Sequence, residues 1–121
     1  MTFEEFEQLV ADALATLPPE ILRQMENVAI VIQDWPTRRQ LNAGRVPSGS
    51  TLLGLYEGIP LTQRTSHYGL VTPDRITIFR GTITALHSTP EAIAEQVRKT
   101  VVHEIAHHFG MNEAQIARLG Y

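Results

Sequence analysis

The sequence predicts an α+β fold, in which helices at both ends of the chain enclose a small sheet. Three observations predict it: an amphipathic helical pattern opens the chain, short β-branched segments follow, and a long helical pattern precedes the end. The chain has 121 residues, the usual size of one domain, so we expect a single domain over residues 1–121. A hydrophobic content of 43% and a charged content of 19% are typical of a globular protein.

The first helix is predicted over residues 2–17. Apolar residues recur there at spacings of three and four, with acidic residues between them. Thr2 followed by Glu5 is the sequence pattern of a capping box, and Pro18-Pro19 stops the helix. We expect one face of this helix to pack on the core.

Three strands are predicted in the middle of the chain. Residues 28–32 form a β-branched run that is typical of a buried strand, and residues 75–80 alternate between polar and apolar side chains. Residues 51–61 predict a weaker strand, whose two glycines indicate a sheet edge or a bulge. Residues 34–50 contain several prolines and glycines, so we expect a long exposed loop there.

A long helix is predicted over residues 89–109. Thr89 is suited to the N-cap and Pro90 to the first helical position. Gly110 ends the helix, because glycine adopts positive φ without strain, and it provides the structural turn beyond. A short last helix is predicted over residues 113–119.

The long helix carries the sequence His-Glu-Ile-Ala-His at residues 103–107. Because positions i and i+4 share one face of a helix, His103 and His107 can bind one metal ion together. Glu104 lies beside that face, where it can act as the general base for a metal-activated water. This spacing indicates a zinc-dependent metallopeptidase of the HExxH type.

The third metal ligand is expected to be Glu113. A ligand on the next helical turn would be carried past the metal, so the chain must reverse, and Gly110 lies at the right offset for that turn. Two histidines and one carboxylate leave a fourth position open. The alternative is a helix end that carries surface histidines, which would interact favourably with the helix dipole. That alternative does not explain the joint presence of Glu104, Gly110 and Glu113.

The composition limits the other classes of function. Without cysteine the chain has no disulfides or thiolate metal sites, so a metal must be held by His, Asp or Glu. A net charge of −3 with scattered basic residues gives no electrostatic case for binding nucleic acid or a membrane surface. The chain starts without a basic, apolar secretory signal and contains no apolar run of membrane-spanning length, so we expect a cytoplasmic protein.

Peptide hydrolysis also needs a donor that stabilises the tetrahedral intermediate. His67 and Tyr68 are candidates, because they lie between two predicted strands, where a loop could overhang the site. Arg80 and Tyr121 are further candidates, and the sequence does not choose among the four. The alternative for each is a turn residue with no catalytic role. His108 is expected to be packed, or to support the metal ligands, rather than to bind the metal.

The segment from Thr100 to Gly110, followed by Glu113, resembles the minimal zincin-like metallopeptidases, a family of small bacterial proteins. The first helix with its double proline and the segments 54–58 and 73–76 are also similar to that family. The resemblance therefore covers nearly the whole chain. It implies a compact α+β fold, in which a small mixed sheet of about three or four strands packs against the N-terminal helix and the active-site helix.

The same resemblance implies one zinc ion at His103, His107 and Glu113, with Glu104 as the base. Iron or manganese would also suit two histidines and a carboxylate. The expected substrate is a peptide or protein, bound by adding a strand to a sheet edge, for which residues 51–57 are the candidate. The alternative for this segment is an ordinary strand. The alternative function is a non-catalytic or partner-activated module that captures a peptide or protein on this edge.

Overall fold

The computed structural model describes residues 1–46, 50–58 and 74–121 of the chain. Within these ranges it contains six helices and one three-stranded sheet, so the predicted α+β fold is confirmed. The elements in chain order are α1 (Phe3–Leu14), α2 (Pro19–Gln24), β1 (Val28–Gln33), α3 (Arg38–Ala43), β2 (Gly54–Glu57), β3 (Asp74–Phe79), α4 (Arg80–Leu86), α5 (Pro90–His108) and α6 (Glu113–Arg118).

The sheet is mixed, with strand order β1-β3-β2. β1 runs parallel to β3, with Val28 opposite Asp74, whereas β2 runs antiparallel to β3, with Gly54 opposite Ile78. Among the described residues β2 is therefore an edge strand of this sheet, as its glycines indicate. The central strand β3 differs from the predicted alternation, because residues 76–79 are all buried. The strands β1 and β2 flank β3 on both sides. Even the polar Thr77 is buried between them, and its hydroxyl donates a hydrogen bond to Glu57 at 3.3 Å.

The core lies between the sheet and the helices α1, α4 and α5. Its fully buried side chains come from all of these elements and from α2 and α6. They are Phe6, Ile21, Ile76, Ile78, Ile83, Val97, Val101, Val102, Ile105 and Ile116. No helix in the described part of the chain is long and apolar enough to cross a membrane.

Three short helices, α2, α3 and α4, were not predicted. α2 starts at Pro19, because proline suits the first helical position, so the double proline ends α1 and also begins the next helix. α3 replaces part of the loop expected over residues 34–50, so that prediction is wrong for residues 38–43. Thr37 and Gln40 form a capping box at its start, a local signal that outweighs the surrounding glycines and prolines.

The remaining boundaries differ by a few residues. β2 covers residues 54–57 of the strand expected over 51–61, and the end of that range lies outside the described residues. β3 ends at Phe79, and Arg80 is the first residue of α4. α1 ends at Leu14, three residues before the predicted end.

Candidate metal centre

The orientation of α5 is determined at both ends and along its buried face. Thr89 caps the start, where its side-chain oxygen accepts a hydrogen bond from the Ala92 amide at 3.2 Å. Val97, Val101 and Ile105 are fully buried against the core, which fixes the rotation of the helix about its axis. His103 and His107 consequently face a groove that lies beside β2.

The chain reverses directly after α5. Gly110 has a φ of +75°, a backbone conformation that side chains rarely allow. The Met111 amide donates to the Ala106 carbonyl at 2.8 Å, and the Gly110 amide donates to the His107 carbonyl at 3.3 Å, which is the Schellman pattern of helix ends. α6 then begins at Glu113, so the predicted turn is observed at the predicted residue.

The reversal brings the three predicted metal ligands together. One ligand atom from each of His103, His107 and Glu113 lies within 4.8 Å of the other two. The Nε2 atom of His107 and the Oε1 atom of Glu113 are 3.6 Å apart. Ligand atoms around a tetrahedral zinc ion lie about 3.3–3.6 Å from one another, so small side-chain rotations suffice to bind one ion. Both His107 and Glu113 are exposed, at 60% and 79% of their side chains, which leaves the approach to this site open.

His103 makes one contact that a metal ion would replace. Its Nε2 lies 3.3 Å from the main-chain oxygen of Tyr121. A neutral imidazole donates a hydrogen bond in this arrangement, whereas a metal-binding nitrogen uses its lone pair instead. Binding through this nitrogen therefore requires the contact to Tyr121 to be given up.

Glu104 lies beside the two histidines, in a more enclosed position. Burial raises the pKa of its carboxyl group. His107, the backbone N–H of Tyr56 and, more weakly, His103 favour the charged form and lower that pKa. Burial is the largest of these effects, so the net shift is upward. A raised pKa makes the carboxylate a stronger proton acceptor, as a general base requires.

The Tyr56 amide can reach Glu104 because of the way β2 pairs with β3. The Leu53 carbonyl accepts a hydrogen bond from the Phe79 amide at 3.0 Å, so the backbone of Leu53 and of every second residue after it faces β3. The backbone groups of Gly54 and Tyr56 consequently face away from β3, towards the edge of the sheet beside α5. This edge strand therefore borders the candidate metal centre directly.

A glycine allows β2 to lie this close to α5. A Cβ atom added to Gly54 would lie only 2.5 Å from Cγ2 of Thr100, a separation that real Cβ atoms do not show. Glycine is thus required here for the close approach of the two backbones. Between α5 and residues 51–54, which lead into β2, lies an open groove of about 460 Å³. Its lining includes Thr51, Gly54, Gln96, Lys99, His103, Glu104 and His107.

The four candidates for the donor that stabilises the tetrahedral intermediate have different outcomes. His67 and Tyr68 lie outside the described residues. Arg80 is paired with Asp34 at 2.7 Å, on the side of the sheet that carries β1, so its guanidinium is engaged away from the β2 edge. Tyr121 reaches His103 with its main-chain oxygen, while its side chain packs against the core.

His108 does not join the metal ligands. Its ring stacks on Tyr56, with ring centroids 3.8 Å apart, and its Nε2 lies 3.9 Å from Asp74 Oδ2. Tyr56 was missed by sequence reasoning, although it contacts both the base and this histidine. A glycine two residues before it, inside a predicted strand, was the available signal, since such a glycine often marks a close backbone approach.

Comparison with known proteins agrees with this arrangement. A family model described as zincin-like metallopeptidase matches residues 25–121. The chain belongs to the zincin-like metallopeptidase family. The structure is also similar to a solved structure of a conserved hypothetical protein from T. thermophilus, with 21% identity and a TM-score of 0.58. That similarity covers 90% of this chain and 94% of the other, and it supports the fold alone. A comparison with curated proteins found no match.

Membership of this family implies a divalent metal, typically zinc, and the donor set of this zincin-like chain suits one. Two imidazoles and a carboxylate are ligands that zinc accepts, and the three groups converge within the distances given above. The carboxylate Glu104 stands next to them without being part of the group. The predicted metal ligands and the predicted base are thus close together in space.

Proposed function

We propose that this zincin-like chain is a zinc-dependent peptidase that hydrolyses peptide bonds. The observation that carries the proposal is the convergence of His103, His107 and Glu113 beside a fourth, partly buried acidic residue, Glu104. A structural helix end has no need for this combination of three potential ligands and a neighbouring base. Family membership supports the same activity.

In this proposal His103, His107 and Glu113 would hold one metal ion. Zinc bound there would supply Lewis acidity, which polarises the scissile carbonyl and lowers the pKa of the attacking water. Glu104 accepts the proton of that water and delivers it to the nitrogen of the departing amine. Its enclosed position supports this role, because burial raises the pKa of the carboxyl group.

The edge strand β2 is the proposed platform for the substrate. Gly54 directs its backbone groups away from β3 and lines the groove, where an extended peptide can pair with it. Such pairing would lay the peptide backbone along α5, past Glu104. A peptide or protein is therefore the proposed substrate, and a cytoplasmic location stays a prediction from the sequence.

Metal analysis tests the first half of this proposal. Protein purified without added metal is expected to contain about one zinc ion per chain, or to bind one after treatment with a chelator. His103→Ala and His107→Ala are each expected to abolish stoichiometric binding. Retention of full binding in both variants would show that the metal is held elsewhere.

Peptide turnover tests the second half. Glu104→Gln is expected to retain the zinc ion while losing at least about a hundredfold in kcat, because the general base is removed. Glu91→Gln is the matched control, since it makes the same substitution at an exposed position in the first turn of the same helix. Zinc binding with no hydrolysis across a diverse peptide library would instead support the non-catalytic binding module.

A further inference from the structure

We propose that Lys99 makes the groove selective for peptides with an acidic side chain on the carboxyl-terminal side of the cleaved bond. This inference rests on the peptidase function proposed above, and it names the substrate class of the same site. Lys99 is the only lysine in the chain, and it lines the groove one helical turn before His103. A ligand that extends along α5 from the metal centre therefore meets its ammonium group.

The ammonium group of Lys99 is available to a ligand. Its side chain is exposed, and it forms no ion pair or hydrogen bond with the residues that the structure describes. Glu95, its natural partner one turn earlier on the helix, is instead paired with Arg98 at 3.0 Å. Lys99, an exposed residue in the lining of the groove, thus carries a charge that no described carboxylate neutralises by direct contact.

The wall around Lys99 is polar and held in place. Gln96 donates from its amide to the Thr100 hydroxyl at 3.1 Å, and its side-chain oxygen lies 2.9 Å from the ring nitrogen of His87. The amide is therefore engaged within the protein on both of its ends. Among the described residues that line the groove, Lys99 is the one with a permanent positive charge, so it dominates the recognition of charge at this end.

The direction of a bound peptide follows from the packing of β2 on α5. Gly54 lies against Thr100, and Tyr56 lies beside Glu104, so strand and helix run in the same direction. Antiparallel pairs outnumber parallel pairs two- to threefold, and a strand added antiparallel to β2 runs from Glu104 back towards Thr100. The part of the peptide that follows the cleaved bond then lies over Lys99.

Charge accordingly distinguishes the two sides of the cleaved bond. A carboxylate over Lys99 gains an ion pair, and no other described residue that lines the groove is a lysine or an arginine. Exposed ion pairs change affinity by about two- to fivefold, so this is the expected size of the preference for Glu over Gln. The preference is expected to disappear in 1 M salt, where the screening length falls to about 3 Å.

The experiment uses zinc-loaded Glu104→Gln protein and pairs of peptides with blocked ends, which differ by Glu or Gln at one position. Binding to this variant is measured by fluorescence anisotropy, so the result does not depend on turnover. In a separate assay, the wild-type protein cleaves the same peptides and mass spectrometry locates the cleaved bond. Lys99→Met is expected to abolish the preference, Lys99→Arg to retain it, and Lys99→Glu to reverse it towards peptides that carry lysine. Arg39→Gln is the matched control, since it removes an exposed charge from α3, outside the groove.

The outcomes separate this inference from the peptidase function. Cleavage of Glu and Gln peptides with equal efficiency and equal affinity would overturn the role of Lys99 and leave the peptidase intact. A preference for acidic peptides that survives Lys99→Met would also overturn the role of Lys99. The same holds for a preference confined to residues before the cleaved bond, and for the absence of any peptide binding. Binding of acidic peptides that depends on Lys99, without any hydrolysis, would support the charge selectivity and refute the peptidase.

Discussion

The ring of Tyr56 lies flat against the ring of His108, with centroids 3.8 Å apart and planes inclined by 15°. The Tyr56 hydroxyl donates to Asp74 Oδ2 at 2.7 Å, and the backbone N–H of Tyr56 acts on the Glu104 carboxylate. One residue of the edge strand therefore joins the end of α5, the start of β3 and the proposed base.

Removal of the Tyr56 hydroxyl is expected to destabilise the protein moderately. Tyr56→Phe keeps the stacked ring and loses the hydrogen bond to the largely buried Asp74, so the free energy of unfolding should fall by about 1–2 kcal/mol. Tyr56→Ala also loses the ring contacts and should cost more, about 2–4 kcal/mol. Urea denaturation measures both changes. A double-mutant cycle of Tyr56→Phe with Asp74→Ala, which removes the acceptor, should reveal coupling, and strictly additive effects would contradict a stabilising hydrogen bond.

The close approach of β2 and α5 predicts a specific pair of substitutions. Gly54→Ala places a Cβ atom 2.5 Å from Thr100 Cγ2, so it should lower the free energy of unfolding by about 1–3 kcal/mol. Thr100→Ser removes that methyl group and retains the hydroxyl that accepts from Gln96. We expect the second substitution to restore more than half of the lost stability, as measured by thermal and urea unfolding.

Gly58→Ala is the matched control for this pair. A Cβ atom there would lie 3.7 Å from the nearest side-chain atom, which is an ordinary contact, so the change in unfolding free energy should stay within about 0.5 kcal/mol. Equal losses for Gly54→Ala and Gly58→Ala would show that the contact with Thr100 is not responsible.

The turn after α5 predicts a cost that arises from the backbone alone. A Cβ atom at Gly110 would meet nothing within 4 Å, yet the φ of +75° is strained for any side chain. Gly110→Ala should therefore lower the free energy of unfolding by about 1–2 kcal/mol, and Gly110→Asn by less, because asparagine tolerates this conformation better. Identical effects of the two substitutions would argue against backbone strain as the cause.

Glu113 is expected to contribute directly to metal affinity. Glu113→Gln removes a charged oxygen 3.6 Å from His107 Nε2, so the zinc affinity should fall at least about tenfold. Competition with a chelating dye measures that affinity, and the zinc-dependent rise of the melting temperature should shrink in parallel. Glu26→Gln, an exposed acidic residue between α2 and β1, should leave both unchanged. An unaltered affinity in Glu113→Gln would exclude this residue as a ligand.

Much of the candidate site was predictable because its residues are close in sequence. His103, Glu104 and His107 lie within two turns of one helix, whose periodicity determines that they share a side. Gly110 and Glu113 follow at offsets that the geometry of a helix end makes interpretable. Local signals also predicted α1 and α5 well, since capping residues and apolar spacing act within a few residues.

The surroundings of the site were not predictable in the same way. α3 was missed because loop-forming residues flank a short helix whose capping box is its main local signal. The buried state of Thr77 depends on strands from distant parts of the chain, which cover β3 on both sides. The contact of Tyr56 with His108 joins residues 52 positions apart, and no local pattern specifies such a pair.

The sequence by itself determined the α+β class, the main helices, the spacing of the three potential metal ligands and the turn that brings the last of them back. These features depend on backbone periodicity and on the conformational preferences of single residues. Only the tertiary structure decided that β2 is the strand beside Glu104, that Tyr56 joins it to α5, and that Lys99 faces the same groove. Those relationships arise from packing between segments far apart in the chain, where contact is determined by the shape and burial of the whole core.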